Sequence, residues 1–246
     1  MDKPLANRIA VVTGASRGIG RAVAVELAKA GAHVIALART QGALEELDDD
    51  IRGQGGSATL VPSDVKDYEA LDRLGAAIHQ RWGKLDVLMG NAGVVGDMAP
   101  LTHVDPAVWE ATMAVNVTAN WRLIRSLDPL LRASDAGRAV FVTSGAAHNL
   151  RAYRGPYSVS KAALEALAIT YAAETVSTPV RVMLINPGPL RTAMRAAVMP
   201  GEDPMTLKTP EDFAPHVVRL ASPDWTETGK IYDFPQDRVI APQPPR

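Results

Sequence analysis

The 246-residue chain has no cysteine. Disulfides, thiolate catalysis and cysteine-ligated zinc are therefore excluded, although this alone does not fix the compartment. It also lacks an excess of either charge: 26 Lys and Arg face 27 Asp and Glu, a formal net charge of -1. No basic field or basic arm argues for nucleic acid. Aromatic residues make up only 5%, and Trp82 and Trp109 fit helical apolar faces better than a base-stacking platform. The five histidines, at 33, 79, 103, 148 and 216, form no i, i+4 pair, so no metal site is expected. No apolar run approaches the ~18 residues that span a bilayer, because Glu26, Lys29 and His33 interrupt the best candidate. The run Ile9 to Val12 is too short for the core of a signal peptide. A soluble, cytoplasmic protein with no membrane or nucleic-acid partner is expected.

What remains is an ordinary globular composition, 47% apolar and 22% charged, in a chain long enough for one large core. Short apolar runs stand at Ile9–Thr13, Val34–Ala38, Ala58–Val61, Leu85–Met89, Ala139–Thr143 and Val180–Ile185. They read as buried strands, since parallel strands are covered on both faces and need not alternate. Between them lie helical spacings such as Ile19, Val23, Leu27 and Leu71, Leu74, Ile78. This βαβαβ rhythm predicts an α/β fold, a single doubly wound Rossmann domain over residues 1–246 with a central parallel sheet flanked by helices. Residues 235–246 read as a C-terminal tail, Pro-rich from Ala241 to Arg246.

The first strand runs into Thr13-Gly14-Ala15-Ser16-Arg17-Gly18-Ile19-Gly20 and then a helix. Glycines at such a turn let the backbone approach a pyrophosphate, which sits at the positive helix N-terminus. An NAD enzyme needs a carboxylate about 20 residues further on. The second strand ends instead in Ala38-Arg39-Thr40. Arg39 and Arg17 offer guanidinium forks for a 2′-phosphate.

The glycine spacing G-x-x-x-G-x-G resembles that of the classical short-chain dehydrogenase/reductase family, and the resemblance extends from about residue 8 to about residue 234. In that family a small residue followed by Arg here, with a basic residue in the glycine loop, accompanies NADP(H). The resemblance also implies that Asp64 holds the adenine amino group with the backbone of Val65 assisting; a helix cap or turn residue for the segment starting near Asp67 is the alternative role for Asp64. Asn91-Ala92-Gly93 matches the family's Asn-Ala-Gly element, where Asn often stands in place of Gly90. After the sixth strand, the resemblance has Pro187-Gly188 bend the chain around the nicotinamide and Thr192 bind its carboxamide.

Carbonyl reduction needs a hydride, a proton and a donor that polarises the oxygen. Tyr157 and Lys161 lie one helical turn apart after Pro156, and an ammonium near a phenol favours the phenolate. Ser144 ends the fifth strand at the carboxyl edge, where open α/β sheets place ligands. Asn116 sits inside a helical stretch, where Asn is a poor residue. In the family the corresponding Asn carbonyl holds a water on the catalytic lysine, and that lysine also binds ribose. The expected catalytic set is Asn116, Ser144, Tyr157 and Lys161, acting on a small carbonyl or alcohol substrate. In the family, 193–209 forms a substrate lid. Here it offers Met194, Met199 and Met205 beside Arg191, Arg195 and Lys208, and an apolar pocket with a cationic rim is expected. The helices around Ala107–Leu127 and Pro156–Val176 carry apolar residues on more than one face, which predicts a homodimer or homotetramer. A 3-oxoacyl thioester reductase and a non-catalytic NADP-binding sensor on the same fold stay open as alternatives.

Overall fold

A computed structural model describes residues 3–242. The six expected strands form at β1 (Ile9–Thr13), β2 (His33–Ala38), β3 (Ser57–Pro62), β4 (Val87–Gly90), β5 (Arg138–Val142) and β6 (Arg181–Asn186). Two more follow, β7 (Lys230–Asp233) and β8 (Arg238–Ile240), and the sheet order is β3-β2-β1-β4-β5-β6-β7-β8. All neighbours are parallel except β7 and β8. The order reverses between β1 and β4, so the carboxyl ends of these strands flank the crevice where such folds bind ligands.

Along β1, Ala10 and Val12 pack into one apolar layer while Ile9 and Val11 pack into the other. Helices α1 (Gly18–Lys29), α2 (Gln41–Gly53) and α9 (Pro210–Ala221) cover the first layer. Helices α3 (Tyr68–Trp82), α5 (Ala119–Arg132) and α7 (Gly155–Glu174) cover the second, with α4 (Pro106–Met113) leading into α5. Local chemistry sets the ends. Asp67 caps α3 by accepting from the Ala70 N–H, and Gly83 closes it in the left-handed region at φ 68°. Thr209 and Asp212 form a reciprocal capping box at α9. Among the described residues, no helix is long and apolar enough to cross a membrane.

The stretch read as a tail from residue 235 does not behave as one. A turn at Phe234–Gln236 reverses the chain, and β8 pairs back on β7 with Ile240 opposite Ile231. Asp237, at φ 45°, accepts from the Tyr232 hydroxyl, which also meets His216 Nδ1 at 2.6 Å. A three-residue strand is too short to register as a period, so only these tertiary bonds reveal it. Of the Pro-rich end, residues 243–246 lie outside the described residues.

Candidate active site

At the end of β1 the backbone makes two left-handed steps, Gly14 at φ 66° and Gly18 at φ 56°. A Cβ on Gly20 would sit 2.2 Å from the Gly14 carbonyl oxygen, so the turn closes only with glycine there. The Thr13 hydroxyl accepts from the N–H groups of Asn91 and Ala92, both at 3.0 Å, and Asn91 Nδ2 donates to the Thr13 carbonyl at 2.8 Å. The glycine turn and the Asn91-Ala92-Gly93 element are thus stitched together. Helix α1 starts with no side-chain cap and no acid in its first turn, so no side chain of the cap takes up its first N–H groups. Thr192 comes to the same place: its methyl is 3.6 Å from where a Gly18 Cβ would lie.

Ser16, Arg17, Arg39, Thr40 and Ala43 line an open cavity of about 290 Å³. Both arginines are exposed there, and neither pairs with a carboxylate among the described residues. The nearest acid in sequence, Glu45, is engaged by Gln41. Asp64 Oδ1 accepts from the Lys66 N–H at 2.9 Å, and Val65 is buried. Of the alternative roles for Asp64, Asp67 takes the helix cap, whereas Asp64 itself holds the turn before it, its side chain accepting from the Lys66 N–H and its carbonyl from the Asp67 N–H.

Ser144 leaves β5 as Tyr157 and Lys161 rise on the first turns of α7 from Pro156. Lys161 is buried, and its Nζ donates to the Val142 carbonyl at 2.7 Å. Burial pulls its pKa down to about 8, while Glu165, one turn further along α7, pushes the other way. Burial also pushes the Tyr157 phenol up, opposed by the Ser144 hydroxyl and by the charge of Arg154. The expectation that Lys161 lowers the Tyr157 pKa therefore fails in the protein alone. The ammonium stands 5.7 Å from the ring centroid, and burial outweighs the charged and polar groups that act on the phenol.

Asn116 lies in a π-helical turn, Ala114–Thr118, between α4 and α5. Such turns inside helices mark functional sites. Its side chain is fully buried, accepts from the Val94 N–H at 2.9 Å and donates to the Val94 carbonyl and the Ser160 hydroxyl. Its own carbonyl accepts from Asn120 Nδ2 at 2.9 Å. A Cβ on Gly93 would come within 3.4 Å of Asn116 Oδ1 and 3.7 Å of Lys161 Nζ. Gly93 therefore lies between the Asn116 amide and the lysine ammonium.

Known proteins carry this same arrangement of sequence and fold. The family model described as short chain dehydrogenase matches residues 8–203. The chain belongs to the short-chain dehydrogenase family. An oxidoreductase of Escherichia coli, YciK, is 39% identical over 233 residues, covering 93% of this chain and 92% of that one. A short chain dehydrogenase of Shigella flexneri complexed with NADP is 38% identical with a TM-score of 0.89, covering 95% of this chain and 99% of that one. One from E. coli complexed with NADPH is 39% identical with a TM-score of 0.88, covering 94% and 98%.

In this short-chain dehydrogenase the segment 193–209 is more ordered than its sequence suggests. It holds α8 (Ala193–Val198), capped by the Thr192 hydroxyl, and a turn at Pro204–Thr206. Of the expected cationic rim, Lys208 stays exposed over the Phe234 ring, but the two arginines turn inward. Arg191 donates to the carbonyls of Pro204 and Leu207, and Arg195 grips Glu202 with two bonds of 2.6 Å. Both guanidinium groups brace the segment from within. Of the expected second apolar face, Ile124 and Tyr171 are buried within the chain itself, whereas Trp121 stays exposed.

Three residues of the dehydrogenase site went unread in the sequence. Asn186 Oδ1 accepts from the N–H groups of Gly145 and Gly188, so one side chain holds the serine loop and the Pro187-Gly188 bend together. An Asn before Pro-Gly at a strand end is a turn signal that pointed to it. Glu165 is buried, held by the Thr143 hydroxyl at 2.5 Å and by His148 at 2.9 Å. Asn120 explains Gly90: a Cβ at Gly90 would sit 2.5 Å from Asn120 Oδ1 and 2.4 Å from the Phe141 ring. The family's frequent Asn has no room here. Among the described residues no group of three His, Asp or Glu is placed to hold a metal ion.

Proposed function

We propose that the protein is an NADP(H)-dependent oxidoreductase that reduces a carbonyl to a secondary alcohol, with Tyr157 as the proton donor. The observation that carries this reading is the convergence of Ser144, Tyr157 and Lys161 at the carboxyl edge of the sheet, where the Ser144 hydroxyl bears on the phenol and Lys161 Nζ stands 5.7 Å from its ring centroid. The residues present fit the cofactor. Gly14, Ser16, Gly18, Ile19 and Gly20 offer backbone to its pyrophosphate, and Arg17 and Arg39 offer guanidinium groups to a 2′-phosphate across their cavity. Asp64 and Val65 would face the adenine, and Asn91, Ala92 and Gly93 the middle of the molecule. Lys161 and Tyr157 would hold the nicotinamide ribose, and Pro187, Gly188 and Thr192 the nicotinamide. When bound, NADPH supplies the hydride that attacks the carbonyl carbon, and its oxidised ring adds a positive charge beside the phenol.

The residues of this chain handle the oxygen. Ser144 donates a hydrogen bond to the carbonyl oxygen and Tyr157 gives it a proton as negative charge develops there. One hydride and one proton make the alcohol. A phenol held above its ordinary pKa is protonated throughout the neutral range, which suits proton donation and hence reduction. The Asn116 carbonyl would hold a water that returns a proton through Lys161. Exposed Trp121 and Val159, on α5 and α7, support a homodimer or homotetramer that covers them.

The test is Tyr157→Phe. NADPH binding, followed by nucleotide fluorescence, should stay near native, and turnover of a reactive dicarbonyl should fall by about 10²–10⁴-fold. A rate within a few-fold of native would remove Tyr157 from the chemistry.

A further inference from the structure

Large apolar side chains exposed to solvent fall in two places among the described residues. Trp121, Val159 and Val176 lie on or just beyond helices α5 and α7. Met98, Leu101, Leu150, Tyr153, Met194 and Met205 lie on the three segments that follow β4, β5 and β6. Those three segments meet at one point. Leu101 packs so close to Gly155 that a Cβ there would lie 2.1 Å from its Cδ2. Arg154 Nη2 reaches the sulfur of Met199 at 3.4 Å. Residues 154 and 155, just ahead of Tyr157 in the chain, thus touch both other segments, and the three border one mouth.

Arg154 is half-buried in this apolar mouth, and its one polar contact is a thioether sulfur, a weak acceptor. No carboxylate among the described residues pairs with it. The acids on the neighbouring segments are otherwise disposed: Glu202 holds Arg195, Asp203 caps the turn at Pro204, and Asp97 on the β4 segment stands exposed without an ion-pair partner. Asp105 caps α4. The contrast with Arg191 and Arg195, both saturated by the lid, is sharp. A half-buried guanidinium with five donors and no anion is left wanting one.

The backbone before it is strained in the same sense. Leu150 at φ 43° and Tyr153 at φ 67° are bulky residues in the left-handed region, both exposed. Strain of this kind persists where the surroundings hold a segment for a purpose. Here both bulky side chains, on either side of Arg151 and Ala152, stand exposed to solvent on the segment that leads into Arg154.

We infer that the mouth takes an apolar carbonyl compound bearing a carboxylate, with Arg154 as the residue that selects the acid. This rests on the reading of Tyr157 and Ser144 as the reaction centre below it. Apolar contact with the six exposed side chains supplies the bulk of the affinity, and the guanidinium fork reads the carboxylate with two parallel bonds. Since the charge of Arg154 already bears on the phenol, a bound acid also damps that influence and keeps Tyr157 protonated for donation.

The test uses 4-acetylbenzoate and its methyl ester, which share a ketone and differ in the anion. Each is titrated into the protein–NADPH complex, following quenching of the bound nucleotide, so that binding is read without turnover. The wild-type protein should bind the acid at least tenfold more tightly than the ester. Arg154→Gln should bring that ratio to about one, and Arg154→Lys should restore part of it. Melting temperature and NADPH affinity report whether each variant is folded. A wild-type ratio near one, or a ratio that survives Arg154→Gln, overturns the proposal. An acid that binds tightly but whose reduction is untouched by Tyr157→Phe would leave Arg154 standing and sink the reaction centre instead.

Discussion

The two edges of the sheet treat charge in opposite ways. At the amino edge, Asp86 is completely buried just before β4, and its carboxylate accepts from Arg8 Nη1 at 2.8 Å, Lys84 Nζ at 3.0 Å, the Ser134 hydroxyl at 2.6 Å and the Ile9 N–H at 2.9 Å. Those partners hold its pKa below the ordinary carboxylate value against the effect of burial. Arg138, buried at the start of β5, donates to the carbonyls of Gly137, Pro179, Ser222 and Pro223. At the carboxyl edge, Lys161 has one carbonyl, Arg154 one sulfur, and Arg17 and Arg39 have no carboxylate. One edge is saturated and the other is left open. Charges satisfied within the chain hold it together, and charges left unsatisfied are available to a ligand.

The largest effect should come from breaking the saturated edge. Asp86→Ala leaves Arg8 and Lys84 without their shared anion and the Ser134 hydroxyl and Ile9 N–H without an acceptor. Removing one partner of a buried charged network costs about 3–5 kcal/mol. Urea unfolding should show that loss, while NADPH affinity at low temperature stays within a few-fold of native. A loss under about 1 kcal/mol would mean the amino edge does not carry the stability assigned to it.

A smaller effect is expected at the open edge. Arg39→Asp places a carboxylate where ribose hydroxyls would bind and removes one fork from the 2′-phosphate. NADPH should weaken by about 10–100-fold, in line with about 1.5–3 kcal/mol for a charge-assisted bond, and NADH should gain. Melting should barely change, since Arg39 is exposed and unpaired. Equal affinity of the native protein for NADPH and NADH would refute the role of both arginines.

The saturated edge was illegible in the sequence, and the open edge was largely legible. Glycine spacing, Tyr157 with Lys161, and Ser144 at a strand end are local patterns tied to backbone geometry, so they read directly. Arg8, Asp86, Ser134 and Asp135 meet from positions up to 127 apart, and nothing local announces them. The same blindness hid β8, which exists through Tyr232 and Asp237, and Asn120, whose side chain sets Gly90. The misplaced cationic rim has the same cause. Charge composition placed Arg191, Arg195 and Lys208 on the rim, and only the bonds inside 193–209 showed that the two arginines are engaged. The direction of the Tyr157 shift needed burial, which spacing does not measure.

The subtlest way to sharpen the comparison is Lys161→Met, a change that should stabilise the protein while ending its work. Lys161 is a buried cation with a single hydrogen bond to a carbonyl. Replacing such a charge with an apolar side chain of similar length is often neutral or stabilising. Its pKa falls from 10.5 in the unfolded chain to about 8 in the native state, so between these values the unfolded chain binds more protons. The burden that Lys161 places on folding is therefore complete below pH ~8 and fades as the pH rises toward 10.5. Lys161→Met should gain about 1–2 kcal/mol at pH 7, a rise of about 2–6 °C in Tm for a chain of this size. That gain should shrink steadily between pH 8 and 10, with turnover lost throughout. Glu165 limits the gain, because it loses a nearby cation, and Glu165→Gln in the same background should recover part of the difference. A variant that melts lower than the native protein at pH 7, or whose gain is independent of pH, would show that Lys161 is as satisfied as Asp86, and the two edges would no longer differ in kind.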